Sequence, residues 1–298
     1  MTSDQRIVVL TRQPDAHGVT RLVEEANARG LKLHPLDPHE LYLNLDPDGT
    51  KASHPDLGET WAETVVIPRL GSLATEYALN ALETLELAGA ATLNPFAGLL
   101  RLRHKFSALC QLATAGLPVP QTAMLRAPAE IDETVAALGS YPVVIKFVRG
   151  SQGVGVVIAP DAATVTSVVE AMNLVQYDVM LQRFYPAANG GDLRILVLNG
   201  EPRWAVRRQA EPGAFRANFH RGATIALAEL TPETSELARR SAACFSLGLA
   251  GVDLIESGQG PLVLEVNGSP GYAAIEQAHG VNAAAAILDC ALERFPRE

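Results

Sequence analysis

Hydrophobic and polar residues change their spacing several times along the chain, and each change predicts an element of structure. RIVVL (6–10) predicts a strand, and HGVTRLVEEANARG (17–30) has apolar residues at helical spacing before it ends at a glycine. ETVVIPRLG (63–71) predicts a second strand, and SLATEYALNALETLELAG (72–89) predicts the helix that follows it. Strands that alternate with helices indicate an α/β fold, so residues 1–94 are predicted to form one small α/β domain.

The pattern then changes to a region rich in strands. GLLRLRHKFSALCQLATAG (98–116) predicts one helix. Apolar runs bounded by Pro and Gly predict strands at 117–125, 141–150, 154–160, 178–185, 193–200 and 201–209. Asn199-Gly200, between the last two, is a strong hairpin signal. Helices are predicted at 161–173, 231–249 and 281–295, and the second of these begins with Thr231 as its N-cap and Pro232 at its first position.

One predicted hairpin carries polar side chains on an otherwise apolar strand pair. In AGVDLIESGQGPLVLEVN (250–267), a Ser-Gly-Gln-Gly turn places Asp253 opposite Glu265, while alternation puts Val263, Glu265 and Asn267 on one face. Carboxylates on opposite residues repel each other, so something positive is expected between them. Two carboxylates and an amide oxygen suit Mg²⁺ completed by water and phosphates. A polar face turned to solvent explains the pattern equally well.

Composition and charge exclude several classes of protein. The 298 residues are nearly half apolar and include 24 basic and 33 acidic side chains, a formal charge of −9 that argues against broad nucleic-acid binding. Three dispersed cysteines, Cys110, Cys244 and Cys290, are expected to be buried thiols of a reducing compartment. Without a long apolar segment or a signal-like start, the chain is expected to be cytoplasmic and free of membrane contact.

Familiar catalytic and nucleotide-binding motifs are missing from the sequence. It contains neither the G-x-G-x-x-G fingerprint nor a G-x-x-x-x-G-K-[ST] loop, which disfavours a Rossmann dinucleotide site and a Walker-type NTPase. H-E-x-x-H and G-x-S-x-G are also missing. His104 and His220 have no nearby nucleophile motif, and we assign them no catalytic role.

A lysine beside a glycine-rich loop is the first candidate for phosphate binding. Lys146 lies within the apolar run VVIKFV, where an amine is costly without a partner, and Gly150, Gly153 and Gly155 follow between two strands. Free backbone N–H groups in such a loop can cover phosphates. A lysine on the solvent face of an edge strand and an ordinary glycine turn remain the alternative.

Arginines are frequent in the strand-rich region. Asp192 and Arg194 share a face of their strand, and one of Arg207 and Arg208 must point inward. Guanidinium groups on a sheet face that also carries acids fit a site for carboxylates and phosphates. Arg216 and Asn218 in FRANFHRG also lie on one side if that segment is extended. Taken singly, any of these arginines is explained by an ordinary solvated surface.

In chain order these residues resemble a known family, the RimK-type L-glutamate ligases of the ATP-grasp superfamily. The similarity extends over essentially the whole chain. It rests on VIPRLG, RLRHKFSALCQLATAGLPVP, VVIKFVRGSQGVGVV, GDLRILVLNGE, FRANFHRGA, AGVDLIES and GPLVLEVNGSPG. The resemblance implies an ATP-grasp fold of mixed α/β (α+β) class. It divides the chain into a Rossmann-like pre-ATP-grasp domain (1–94), a central lid subdomain (95–180) and a C-terminal subdomain with the metal site (181–298).

The resemblance also implies roles for individual residues. Asp253, Glu265 and Asn267 match the Mg²⁺ ligands, with Mn²⁺ as an alternative metal, and Arg208 and Arg194 are candidates for gripping the acyl phosphate and substrate carboxylates. The residues that match the ATP site are Lys105, Lys146, Gly150, Ser151, Gln152, Gly153, Gly155, Gln182, Arg183, Phe184, Asp192, Arg216, Ala217 and Asn218. Gln182 to Phe184 would form the hinge that meets adenine.

The implied reaction is amide formation through an acyl phosphate, with L-glutamate added to a protein C-terminus or glutamyl peptide, once or repeatedly. The implied partners are L-glutamate, an acceptor such as a ribosomal protein, and further copies of the chain in a homo-oligomer. Two alternatives remain: a ligase for a small metabolite or carrier protein, and a nucleotide-binding regulatory relative without turnover. Arg183, where the family usually has Glu, and Val206, where it commonly has Glu, are the only support for the regulatory alternative.

Overall fold

A computed structural model describes residues 6–47, 49–71, 74–125, 127–150, 155–186, 191–209 and 224–295. The first elements are β1 (Arg6–Leu10), α1 (His17–Ala28), β2 (Leu33–Leu36), β3 (Tyr42–Asp46), β4 (Gly49–Ser53), β5 (Thr64–Pro68), α2 (Glu76–Leu87) and β6 (Ala91–Thr92). Four of these strands form a parallel sheet in the order β2-β1-β5-β6, while β3 and β4 form a separate antiparallel hairpin. The α/β pattern predicted for this part is confirmed.

Strand β1 is apolar throughout because both of its faces are covered. Ile7 and Val9 belong to one hydrophobic cluster, whereas Val8 and Leu10 belong to another on the opposite face. Central strands of a parallel sheet are buried in this way and therefore show no polar alternation.

An antiparallel sheet with its helices forms the second unit. The elements are α3 (Phe96–Leu102), α4 (Lys105–Thr114), β7 (Thr122–Leu125), α5 (Ile131–Leu138), β8 (Val143–Phe147), β9 (Val156–Ala159), α6 (Ala162–Leu174) and β10 (Val179–Arg183). The strand order is β7-β10-β8-β9. The single helix predicted at 98–116 is wrong: the chain breaks after α3, and His104 accepts a hydrogen bond from the Ser107 backbone to cap α4.

The third unit is a larger antiparallel sheet. Its elements are β11 (Gly191–Leu198), β12 (Glu201–Gln209), β13 (Thr224–Ala228), α7 (Pro232–Ala243), β14 (Leu249–Glu256), β15 (Pro261–Asn267), α8 (Ala273–His279) and α9 (Ala283–Leu292). The strand order is β13-β12-β11-β14-β15. Asn199 and Gly200 both have positive φ in the β11–β12 turn, and Thr231 caps α7 through a capping box, as predicted.

Helix α9 returns to the first sheet. Ile287 and Leu288 are fully buried in the cluster that contains Ile7 and Val9, so the last helix completes the core of the first unit. The boundary proposed at residue 180 lies inside β10, which belongs to the central sheet. None of the helices in the described ranges is long and apolar enough to cross a bilayer. The expectation of three buried thiols is wrong: Cys110 is exposed on α4, and Cys244 and Cys290 are only partly buried.

Candidate active site

The predicted pairing of the β14–β15 hairpin is confirmed. Asp253 lies opposite Glu265, and Gly251 lies opposite Asn267. The register shifts after the Asp253–Glu265 pair. Leu254 pairs with Val263, so Leu264 of β15 has no partner in the ladder. Val263 therefore turns to the face opposite Glu265 and joins the hydrophobic core, so the predicted shared face of Val263, Glu265 and Asn267 is wrong at Val263.

Arginines supply the positive charge expected beside Asp253. Arg194, its cross-strand partner, donates from Nε and Nη2 to the two carboxylate oxygens at 2.7 Å each. Arg208 Nη2 lies 2.9 Å from Asp253 Oδ2, and its Nε and Nη2 donate to Asp192 at 2.6 Å. Arg208 is thus the inward member of the arginine pair, and it bridges two carboxylates.

Burial and charge act in opposite directions on these carboxyl groups. Burial would raise the pKa of Asp253, but Arg194 and Arg208 hold it at about 2. The pKa of Asp192 is raised, first by burial and then by the charge of Asp253, against the effect of Arg208. Burial alone would lower the pKa of Arg208, and its two carboxylate partners raise it instead. Asp253 therefore keeps its ionic pairing with Arg194 and Arg208 at neutral pH.

Two lysines approach the same row from the central unit. Lys105 begins α4, and its Nζ lies 2.7 Å from Glu265 Oε1, while its backbone N–H donates to the carbonyl of Val148 just beyond β8. Lys146 on β8 has no ion-pair partner among the described residues. Burial lowers the pKa of Lys146 to about 8, which Glu265 partly opposes and Lys105 reinforces.

The described base of the glycine loop is packed closely. Gly155 has φ of +76°, and a Cβ there would collide with the ring of Phe147. Tyr177 stacks obliquely on Phe147 and donates from its hydroxyl to the Arg149 carbonyl at 2.7 Å. Gly150 also has positive φ. The predicted phosphate-binding residues Ser151, Gln152 and Gly153 lie outside the described residues, as do Arg216, Ala217 and Asn218.

The proposed adenine hinge lies at the end of β10. Gln182 is buried and donates from Nε2 to Thr122 Oγ1 at 2.9 Å. The Arg183 backbone N–H donates to the Gln121 carbonyl, and its exposed guanidinium lies 5.6 Å from the ring centre of Tyr185. Phe184 follows at the end of the strand and is partly buried. The Arg183 side chain is thus available at the protein surface, while its N–H group is already bonded.

A cleft of about 370 Å³ lies between the first and third units. Arg194, Arg208, Asp253, Glu265 and Asn267 line it from the large sheet. The residues that line it from elsewhere include the loop after β1, the start of α1, the end of α3, Arg69 after β5, and the segment 268–275. The sequence interpretation gave Arg69 no role, although an arginine directly after a buried strand, at the edge where ligands bind in α/β sheets, was the available signal.

The donor set at the end of β15 fits a magnesium ion. No group of three or more His, Cys, Asp or Glu side chains that could hold a metal occurs in the part of the chain that the structure describes. The predicted set instead combines two carboxylates with an amide, and Asn267 Nδ2 is buried without a hydrogen-bond partner. An amide can turn its oxygen to that position, and carboxylates have lone pairs beyond those used by Arg194 and Lys105. Mg²⁺ favours few protein oxygens together with water and phosphates.

Comparison with known proteins identifies the family. The family model described as RimK PreATP-grasp domain matches residues 5–99, and the RimK-like ATP-grasp domain matches residues 102–291. The chain belongs to the RimK-like ATP-grasp family. A relative named probable alpha-L-glutamate ligase 2, from Shewanella baltica, is 38% identical over 286 residues, covering 95% of this chain and 94% of the relative. RimK-like ATP-grasp proteins are ATP-dependent ligases, and this chain is an enzyme of that class.

Solved structures agree with the fold. The RimK domain ATP-grasp protein of Sphaerobacter thermophilus superposes with a TM-score of 0.75 at 23% identity, covering 96% of this chain and 98% of that one. The ATP-grasp ligase PsnB, in a complex with a variant of its minimal precursor, Mg and ADP, gives 0.76 at 21% identity, covering 98% and 99%. The ATP-grasp fold with a pre-ATP-grasp domain is therefore confirmed.

Proposed function

We propose that this enzyme joins the amine of L-glutamate to a carboxyl group at a protein C-terminus or at the end of a glutamyl peptide, with hydrolysis of ATP to ADP and phosphate. The observation that carries the proposal is the row of paired acids and arginines on β11, β12, β14 and β15. Beside this row Lys105 pairs with Glu265, and Lys146 lies buried without an ion-pair partner among the described residues. The similarity to named glutamate ligases supports L-glutamate as the amino acid.

Activation of the acceptor carboxylate is the first step. One of its oxygens attacks the γ-phosphorus of ATP, the bond from that phosphorus to the bridging oxygen breaks, and ADP leaves with the electron pair. Lys105 and Lys146 bind the phosphate oxygens, while Arg208 and Arg194 neutralise charge on the transferring group and the carboxylate. Asp253, Glu265 and Asn267 would hold Mg²⁺, which supplies Lewis-acid charge stabilisation to the phosphates.

Amide formation is the second step. The unprotonated α-amine of L-glutamate attacks the acyl carbon, the bond from carbon to the phosphate oxygen breaks, and inorganic phosphate leaves while the amine loses one proton. Water would hydrolyse the mixed anhydride, so the loop between β8 and β9 is proposed to cover the reacting groups. If the new C-terminal carboxylate enters the same site, further glutamates are added. Because the reaction consumes ATP, we keep the cytoplasm as its expected location.

The test measures nucleotide use and product mass together. Purified protein is incubated with Mg²⁺, ATP and each common amino acid, with and without a peptide that ends in Glu, and Mn²⁺ replaces Mg²⁺ in a parallel series. We expect ADP release that depends on glutamate and mass increments of one or more glutamyl units. Glu265→Gln serves as the inactive control. Amide products with another amino acid would overturn glutamate specificity, and nucleotide binding without ADP release would favour the regulatory alternative.

A further inference from the structure

Arg69 lines the same cleft but is not part of the paired row. It directly follows β5 in the chain and contacts the segment that follows β15. Its Nη2 donates to the Pro270 carbonyl at 2.9 Å, and its guanidinium lies 5.7 Å from the ring centre of Tyr272. Its Nη1 is buried and has no hydrogen-bond partner within the described ranges. Arg69 thus lines the cleft with a guanidinium whose Nη1 makes no hydrogen bond to the described residues.

Arg69 differs from the other arginines that line the cleft. Arg194 and Arg208 are paired with carboxylates, and Arg103 Nη1 lies 2.7 Å from Glu76 Oε1 while its Nη2 donates to the Ala74 carbonyl. Arg103 keeps a buried Nε without a partner, but its charge is compensated. Arg69 has no acidic partner among the described residues. An uncompensated cation in a protected position is costly, so native proteins retain one where a ligand supplies the anion.

The surroundings of Arg69 leave little freedom for its guanidinium. A Cβ at Gly18 would lie 3.1 Å from Arg69 Nη2 and 3.2 Å from a Tyr272 ring carbon. The Tyr272 hydroxyl donates to the Gly18 carbonyl at 2.6 Å, and the Tyr272 ring is buried. The start of the twelve-residue helix α1 lines the cleft beside Arg69, and no side chain caps it. Helix start and guanidinium both favour an anion in this position.

We propose that Arg69 and the start of α1 bind the non-reacting carboxylate of a glutamyl group, while the reacting end of the substrate lies at the row of Arg194, Arg208 and Asp253. This inference rests on the proposed function and defines a substrate subsite within it. A C-terminal glutamyl unit carries two carboxylates, and the cleft is lined both by the arginines of the paired row and by Arg69, which is not part of that row. Arg69 can donate from its unpartnered Nη1 to a carboxylate oxygen, and a lysine does not reproduce the planar geometry of the guanidinium. It is a specificity-determining residue, since a neutral amide offers no charge to it.

The test compares Arg69→Gln and Arg69→Lys with the matched variant Arg103→Gln, which removes a paired charge from the same cleft. Two series are measured: L-glutamate is varied at saturating Glu-ended peptide, and that peptide is varied at saturating L-glutamate. We expect Arg69→Gln to raise the KM for one of these two substrates, the one that occupies the subsite, about 10- to 100-fold. The KM for ATP should not change. Arg69→Lys should give a smaller increase, and Arg103→Gln a change of less than about threefold.

Amide analogues provide a readout that a merely structural role would not change. In the wild type, replacing the side-chain carboxylate by an amide, as L-glutamine or as a Gln-ended peptide, should lower kcat/KM strongly. Arg69→Gln should reduce that discrimination at least tenfold because the charge that recognises the carboxylate is gone. Unchanged discrimination in a folded Arg69→Gln protein, or an equal effect of Arg103→Gln, would overturn the proposal.

A binding measurement separates this inference from the proposed function. Calorimetric titration of L-glutamate and of the Glu-ended peptide into wild type and Arg69→Gln needs no turnover. Binding that depends on Arg69, in a protein without ligase activity, would support the subsite and reject the function. Ligase activity with binding that is independent of Arg69 would reject the subsite and leave the function standing. No binding of either ligand by the wild type would overturn the subsite.

Discussion

Two groups of described cations, Arg194 with Arg208 and Lys146 with Arg69, differ in how their charges are compensated, and the difference separates structure from ligand binding. Arg194 and Arg208 are held by Asp253 and Asp192, so their charges are compensated by the protein. Lys146 and Arg69 lie in protected positions without an acidic partner in the described parts of the chain, and burial lowers the pKa of both. The first group is preorganised by folding. The second costs stability until an anionic substrate arrives.

Breaking the paired group should have the largest effect. Asp253→Ala leaves two arginines without their shared carboxylate, and we expect it to lower the free energy of unfolding by about 3–5 kcal/mol and to abolish turnover. Chemical denaturation measures the first effect and ADP release the second. Glu265→Gln should abolish turnover with a much smaller loss of stability, because the Lys105–Glu265 pair is more exposed. Equal stability losses in the two variants would contradict the distinction between the buried pairs of Asp253 and the more exposed Lys105–Glu265 pair.

Removing an unpaired cation should act in the opposite direction on stability. Lys146→Met keeps the length of the side chain without its charge, so we expect Tm to rise by about 2–4 °C while KM for ATP increases at least tenfold. Thermal unfolding and ATP-dependent kinetics are measured on the same preparation. A lower Tm would show that Lys146 is stabilised by the native structure, and an unchanged KM for ATP would remove it from the phosphate site.

The pH dependence of ATP use sharpens the same point. The pKa of Lys146 is about 8 in the folded protein and 10.5 when unperturbed, so the folded state loses this proton first as pH rises. ATP needs the protonated form; KM for ATP should therefore increase about tenfold for each pH unit well above 8. Stability should gain over the same window, between about 8 and 10.5, because the unfolded chain binds more protons there. Lys146→Arg should remove this inflection, and its persistence would assign it to another group.

The smallest effect is expected next to Arg69. Gly18→Ala places a methyl group 3.1 Å from the guanidinium, so Arg69 must shift, and we expect KM for the substrate of the subsite to increase about three- to tenfold. Gly71→Ala is the matched control because, apart from its neighbours in the chain, no atom of the described residues lies within 4 Å of its added Cβ. An identical response to both substitutions would argue against a constrained Arg69.

Much of the paired row could be predicted from the sequence because it depends on local chemistry. The turn at 257–260 fixes the pairing of Asp253 with Glu265, and alternation predicts that one of Arg207 and Arg208 faces inward. The residue omitted from the β15 ladder could not be predicted, since a bulge has no reliable local signal there. The break before Lys105 was missed because apolar spacing continues across it, although His104 is a suitable cap.

The unpaired group was harder to predict because the absence of a partner is a property of the tertiary structure. Lys146 was noticed from its apolar neighbours, but its burial near Glu265, Asp192 and Asp253, without a direct ion pair among the described residues, depends on the tertiary structure. Arg69 meets Pro270 and Tyr272 some 200 residues further along the chain, and no spacing within the sequence reveals that contact. The assignments of Gln182, Arg183 and the loop after Gly150 to the ATP site remain predictions from the family resemblance.

Helix α9 gives the molecule a particular order of assembly during synthesis. Strand β1 has one face in a cluster that Ile287 and Leu288 complete. That face stays without part of its final cover until α9 has been translated. The first unit therefore cannot reach its full stability before α9 emerges, and a nascent chain stalled before residue 283 should leave part of the cluster around Ile7 and Val9 open to chaperones and proteases.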